Sequence, residues 1–129
     1  FDVMAGKPPA SSGEVAEWSG LKERYVREWL GAMVTAGVVE YDPKAKTYRL
    51  PDLQASLLTR AATPENFAVP MQWISVLGRV EYQIVDVFAN GGGVAYEEFN
   101  RFHEVMREES VQTVVAALVE RILPLEAGL

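Results

Sequence analysis

The chain has 129 residues, 49% of them hydrophobic, no cysteine and a net charge of −6, which is enough apolar content for a core in one domain or two small ones. The lack of cysteine, of an apolar run of about 18 residues and of a basic leader followed by an apolar stretch argues against disulfide-stapled, membrane-spanning and secreted classes. A cytoplasmic protein with no membrane partner is the expectation.

Seven basic residues (Lys7, Lys22, Arg24, Arg27, Lys44, Lys46 and Arg49) balance seven acidic ones in 1–51, so the whole deficit lies in 52–129. A basic surplus, the usual drive for non-specific nucleic-acid binding, is missing from both halves.

Ser11-Ser12-Gly13-Glu14 fits a capping box that opens a short helix through Val15, Ala16 and Trp18, and Gly20 breaks it. From Leu21 to Ala36 the apolar residues Val26, Trp29, Leu30, Met33 and Val34 recur with helical period on one stripe, and Gly37 is a C-terminal stop. Val38–Tyr41 and Thr47–Leu50 are β-rich and joined by Asp42-Pro43-Lys44-Ala45-Lys46, a hairpin of wing size. Helix, glycine turn, longer helix and hairpin make a winged helix-turn-helix, supported by the spacing Ala16-x3-Gly20-x5-Val26.

After Pro51 the pattern turns helical. Thr63 and Pro64 read as an N-cap and first helical residue ahead of Phe67, Met71, Ile74 and Leu77, with Pro70 implying a kink or a late start. A second helix is expected over Arg79–Ala89, ended by Asn90 and Gly91-Gly92-Gly93. A third, about Glu97 to Leu123, places Val111, Val114, Val115, Leu118 and Ile122 on one face before Pro124. The fold class is thus mainly α with a small β hairpin: a winged helix-turn-helix over 1–51 and a helical cap and dimerisation segment over 52–129. Pro124 to Gly128 reads as a connector, and both ends of the chain are expected to be cut.

Several constellations could carry chemistry. Lys22, Arg24 and Arg27 lie where a DNA reader places its base-contacting helix, with Lys44 and Lys46 on the wing for phosphates. However, Glu23 and Glu28 stand one turn from Arg27 and Arg24, so intrahelical pairing is expected to absorb those cations. Val85–Phe88 followed by three glycines lacks the direct strand-loop-helix context of a nucleotide cradle and reads as a helix end. With one histidine and no cysteine, a His/Cys metal site is not expected, and no nucleophile elbow appears. His103 could serve as a base or orient a substrate. Trp73, Tyr82, Tyr96, Phe99 and Phe102 could wall a pocket or simply pack.

Glu14-Val15-Ala16, Ser19 through Leu30 and Gly37 through Tyr41 resemble the winged-helix N-terminus of a class I S-adenosylmethionine-dependent methyltransferase family often labelled transcriptional regulators. The resemblance extends through Arg101–Met106, and Phe102-x3-Met106-x3-Ser110 is similar to the spacing found in small-molecule O-methyltransferases. It implies that Phe102, His103, Met106, Ser110 and Tyr96 line a donor and acceptor pocket. It also implies that the winged helix serves dimerisation and capping. The acidic strand end and glycine-rich donor loop of the catalytic domain are absent from these residues.

The resemblance therefore implies a homodimeric, active-site-capping module that partners the C-terminal catalytic domain of its own chain and a small-molecule acceptor. S-adenosylmethionine would be the cofactor of the longer protein, with none held, and no catalysis carried out, by these residues alone. The alternative is a winged-helix DNA-binding transcriptional regulator, and a third reading is a protein-interaction domain with neither activity.

Overall fold

The computed structural model describes residues 1–126 and divides the chain into two compact units, Phe1–Ala62 and Thr63 onward. The first unit is a winged helix-turn-helix. Helix α1 (Ser12–Ser19) begins with the capping box: Ser11 Oγ accepts from the Glu14 backbone N–H at 3.3 Å, and Glu14 Oε2 accepts from the Ser11 N–H at 2.8 Å. These bonds use donors that a helix start leaves free, and the Ser11 N–H bond holds the Glu14 carboxyl below its ordinary value.

Helix α2 (Glu23–Thr35) begins at Glu23 rather than at Leu21, because the glycine turn consumes Leu21 and the N-cap Lys22. Both helices close in the same way. Gly20 and Gly37 adopt φ of 68° and 71°, and the next residues, Leu21 and Val38, donate back to Ala16 O and Met33 O at 3.1 and 2.9 Å. That closure needs the left-handed backbone glycine takes without strain.

Strands β1 (Glu40–Asp42) and β2 (Thr47–Arg49) pair antiparallel with Tyr41 opposite Tyr48. Asp42 Oδ1 accepts from the Lys44 and Ala45 N–H groups at 2.8 and 3.2 Å, which shapes the tip as an Asx turn. Ala10 bridges the far side of β2 at Tyr48.

The core collects Met4, Ala10, Val15, Ala16, Val26, Leu30, Val39 and Leu50, with Trp18, Trp29, Met33 and Val34 half-buried against it. The α2 stripe expected from the sequence is therefore the inner face of the helix. Leu30 is 0% exposed.

The boundary expected near Pro51-Asp52 moves one helix onward. Helix α3 (Asp52–Leu58) and a 3₁₀ turn (Arg60–Ala62) belong to the first unit. Ala55 packs on the core, and Arg60 donates from its backbone and guanidinium to Asp2 at 2.8 and 2.6 Å. Partial burial pushes the Asp2 carboxyl upward, but the Arg60 hydrogen bonds and charge outweigh it and hold the group below 3.8.

In the second unit the helix expected at Thr63-Pro64 does not form. Thr63 Oγ1 instead donates to Gln112 O at 2.6 Å, and the Thr63-Pro64 peptide is cis. Pro70 gives a late start, so helix α4 spans Gln72–Gly78. Helix α5 (Glu81–Asn90) ends at Gly91 with φ 77°, as the glycine run predicts, though Asn90 stays inside it.

The long helix expected from Glu97 is divided. Tyr96–Glu98 forms a 3₁₀ turn, Arg101 sits at φ 62°, and helix α6 spans Phe102–Ser110. Wider π-type turns follow at Val111–Val115 and Leu118–Ile122, then a 3₁₀ turn at Leu123–Leu125 that takes in Pro124. The β-branched run Val111, Thr113, Val114 and Val115 crowds a tight helix. Part of the connector read at Pro124–Gly128, its Ala127 and Gly128, lies outside the described residues.

Leu30→Ala is expected to cost about 2–5 kcal/mol and Ser11→Ala about 1 kcal/mol, both measurable by urea unfolding. The Asp2 carboxyl, depressed in the folded state, stabilises fully above pH 3.8, and that contribution is lost as pH falls through the folded value. Asp2→Asn is expected to flatten this acid limb in pH-dependent unfolding.

Candidate functional site

Two surfaces take up the residues singled out in the sequence, one in each unit. On the first, Lys22, Arg24 and Arg27 are exposed at the start of α2, and Lys44 and Lys46 are exposed at the hairpin tip. Arg27 pairs with Glu23 at 3.6 Å, as expected. Arg24 does not pair with Glu28: among the described residues neither side chain makes an ion pair or hydrogen bond. The order explains the difference, since an acid one turn before a base is the favoured arrangement in a helix and the reverse is weaker.

Arg49, on β2, is fixed across the hairpin, its Nε and Nη2 donating to Glu40 Oε2 at 3.1 and 2.9 Å. Tyr41 and Tyr48 stack beside that pair with ring centroids 4.7 Å apart. Burial and the neighbouring Tyr41 push the Tyr48 phenol upward.

On the second surface, α6 brings Phe102, His103, Met106 and Ser110 onto successive turns of one helix. The 3₁₀ turn before it brings Tyr96 within 5.2 Å of the Phe102 ring and 6.0 Å of His103. Trp73 and Phe99 meet the other edges of Phe102 at 5.1 and 5.8 Å. His103, Met106 and Ser110 are exposed, while Phe102 is half-buried at the centre of the aromatic group. Tyr82, read from the sequence as a further wall, stands apart on α5 and is 86% exposed.

Polar side chains that sequence reasoning passed over hold this group in place. Gln72 Nε2 donates to Glu108 Oε2 at 3.0 Å, Trp73 Nε1 to Glu109 Oε2 at 2.7 Å, and Arg101 Nη2 to Gln72 Oε1 at 2.9 Å. Arg101 also pairs with Glu104 at 2.8 Å, and the guanidinium hydrogen bond holds that carboxyl below its ordinary value. Deeper, Asn66 Nδ2 donates to Gln112 Oε1 at 2.7 Å. Of these contacts only Arg101 with Glu104 is local; the others join residues 36, 29 and 46 positions apart, for which spacing along the chain gives no signal.

An open cleft of 540 Å³ lies between α5 and the glycine-rich loop, lined by Tyr82, Gln83, Asp86, Val94, Ala95 and Glu98 among others. It adjoins the Tyr96 turn without including Tyr96 or the α6 side chains. Among the described residues, no group of three His, Cys, Asp or Glu side chains could hold a metal ion, and no helix is long and apolar enough to cross a membrane.

Residues 1–60 match the Rv2258c-like winged HTH domain. No curated protein matches the chain.

Trp73→Phe removes a donor from the half-buried Glu109 carboxylate. It is expected to destabilise the second unit by about 1–3 kcal/mol, read as a lowered midpoint in urea.

Proposed function

We propose that this chain is the N-terminal dimerisation and active-site-capping module of an S-adenosylmethionine-dependent methyltransferase that acts on a small molecule. The observation that carries a covering role is the apolar surface left open on the second unit. Phe88 is 88% exposed and Val119 71%, and Ile74, Met71 and Val114 are also exposed. Exposed apolar side chains that lie together favour a surface that another body covers.

The methyl-transfer chemistry comes from the resemblance noted in the sequence, and α6 is compatible with it. Side chains four apart share a helix face, so Phe102, Met106 and Ser110 offer a ring, a thioether and a hydroxyl in line. When bound, the donor would supply an activated methyl group. The residues of this chain would form one wall of its pocket, with Phe102 against a flat ring and Ser110 and His103 towards the acceptor. The catalytic domain would supply the remaining walls and the donor loop.

In the intact protein, Met106→Ala together with Ser110→Ala is expected to weaken S-adenosylmethionine binding about tenfold, or about 1.4 kcal/mol, by calorimetry. An affinity unchanged by both substitutions would remove α6 from the pocket.

A second reading, a DNA-binding regulator, has one observation in its favour. Lys22, Arg24, Lys44 and Lys46 are exposed on a winged helix-turn-helix and make no ion pair among the described residues. If these four cations met phosphates, log affinity for a DNA duplex would fall against log salt with a slope of roughly −3 to −4. Fluorescence anisotropy on a labelled duplex distinguishes the readings. The capping reading expects no such salt-dependent binding.

A further inference from the structure

The outer side of α2 carries a combination of groups that its fold leaves without partners. Val26 and Leu30 turn inward, yet Tyr25 is 71% exposed on the opposite side, and Leu21, in the turn before the helix, is 64% exposed. Gly31 and Ala32, further along, are exposed and small. Between them stand Arg24 and Glu28, opposite charges one turn apart that do not pair with each other, although Glu23 and Arg27 next to them do.

We propose that this face is an interface between two copies of the chain, with the two α2 helices packed antiparallel about a two-fold axis. A two-fold contact must be self-complementary, each residue meeting its counterpart in both directions. The register that sets Arg24 of each copy opposite Glu28 of the other also brings the two Tyr25 side chains close to the axis. One arrangement therefore joins the unpaired charges twice and centres the contact on an exposed aromatic pair. Small residues let the helix axes approach closely, and Tyr25 lies near the axis, where an aromatic ring contributes most to an interface.

The same face is poorly made for DNA, because Glu28 would stand against phosphate at its centre. The proposal rests on the dimerising reading above and names the surface that performs it.

The test is sedimentation velocity on the whole chain and on R24E, E28R and the double variant R24E/E28R, with circular dichroism confirming that each is folded. Each single substitution sets like charges together and is expected to weaken the dimer about tenfold. The double variant restores opposite charges and is expected to return to within about threefold of the original. Rescue is the decisive result, since general damage to the helix would accumulate in the double variant.

Self-association that ignores both single substitutions overturns this pairing and leaves the dimerising reading intact on another face. A wild-type chain that remains monomeric at every concentration overturns both. In a parallel duplex-binding assay, loss of DNA affinity in R24E with a gain in E28R, and no change in self-association, assigns the face to nucleic acid and overturns the proposal.

Discussion

The first unit depends on one reciprocal joint in the backbone. Ala10 donates to Tyr48 O at 3.0 Å, and Tyr48 donates back to Ala10 O at 2.7 Å. This closed pair adds a third line to a hairpin too short to be stable alone, and it fixes the residue immediately before the Ser11 cap. The start of α1 and the base of the wing are thereby set by the same two peptide groups. Leu50, directly after β2, then falls into the core with Val39, and α2 has a surface on which to bury Val26 and Leu30.

Little of that joint can be seen in the sequence, because Ala10 carries no side-chain signal for pairing with a residue so far along the chain. What could be read was local: the Ser11–Glu14 box, the glycines at 20 and 37, the helical stripe ending at Val34 and the Asp42-Pro43 turn. Each states its conformation within a few residues, through a cap, a positive φ or a period. The winged helix followed from those four signals in order. Its C-terminal limit did not, since the pairing of Arg60 with Asp2 joins opposite ends of the unit.

The second unit was harder to read for the same reason. Thr63 and Pro64 have the right identities for a helix start, but the threonine hydroxyl is claimed by the carbonyl of Gln112. The candidate side chains on α6 were legible as residues on one helix. The aromatic group around Phe102 was not, because Trp73 and Tyr96 reach it from separate elements. Where a residue's role is decided by a distant partner, spacing along the chain carries no record of it.

The buried amides of Asn66 and Gln112 illustrate what such a distant contact can do. Gln112 is the second residue of the wide turns over Val111–Val115, where creep of one residue along the axis would turn every side chain to a new direction. An apolar contact would tolerate that creep, because one methyl group replaces another at small cost. An amide pair cannot, since a slip would leave two polar groups facing hydrocarbon with nothing to bond. Asn66 and Gln112 therefore act as a key in a slot, resisting any change of register in the valine-rich turns.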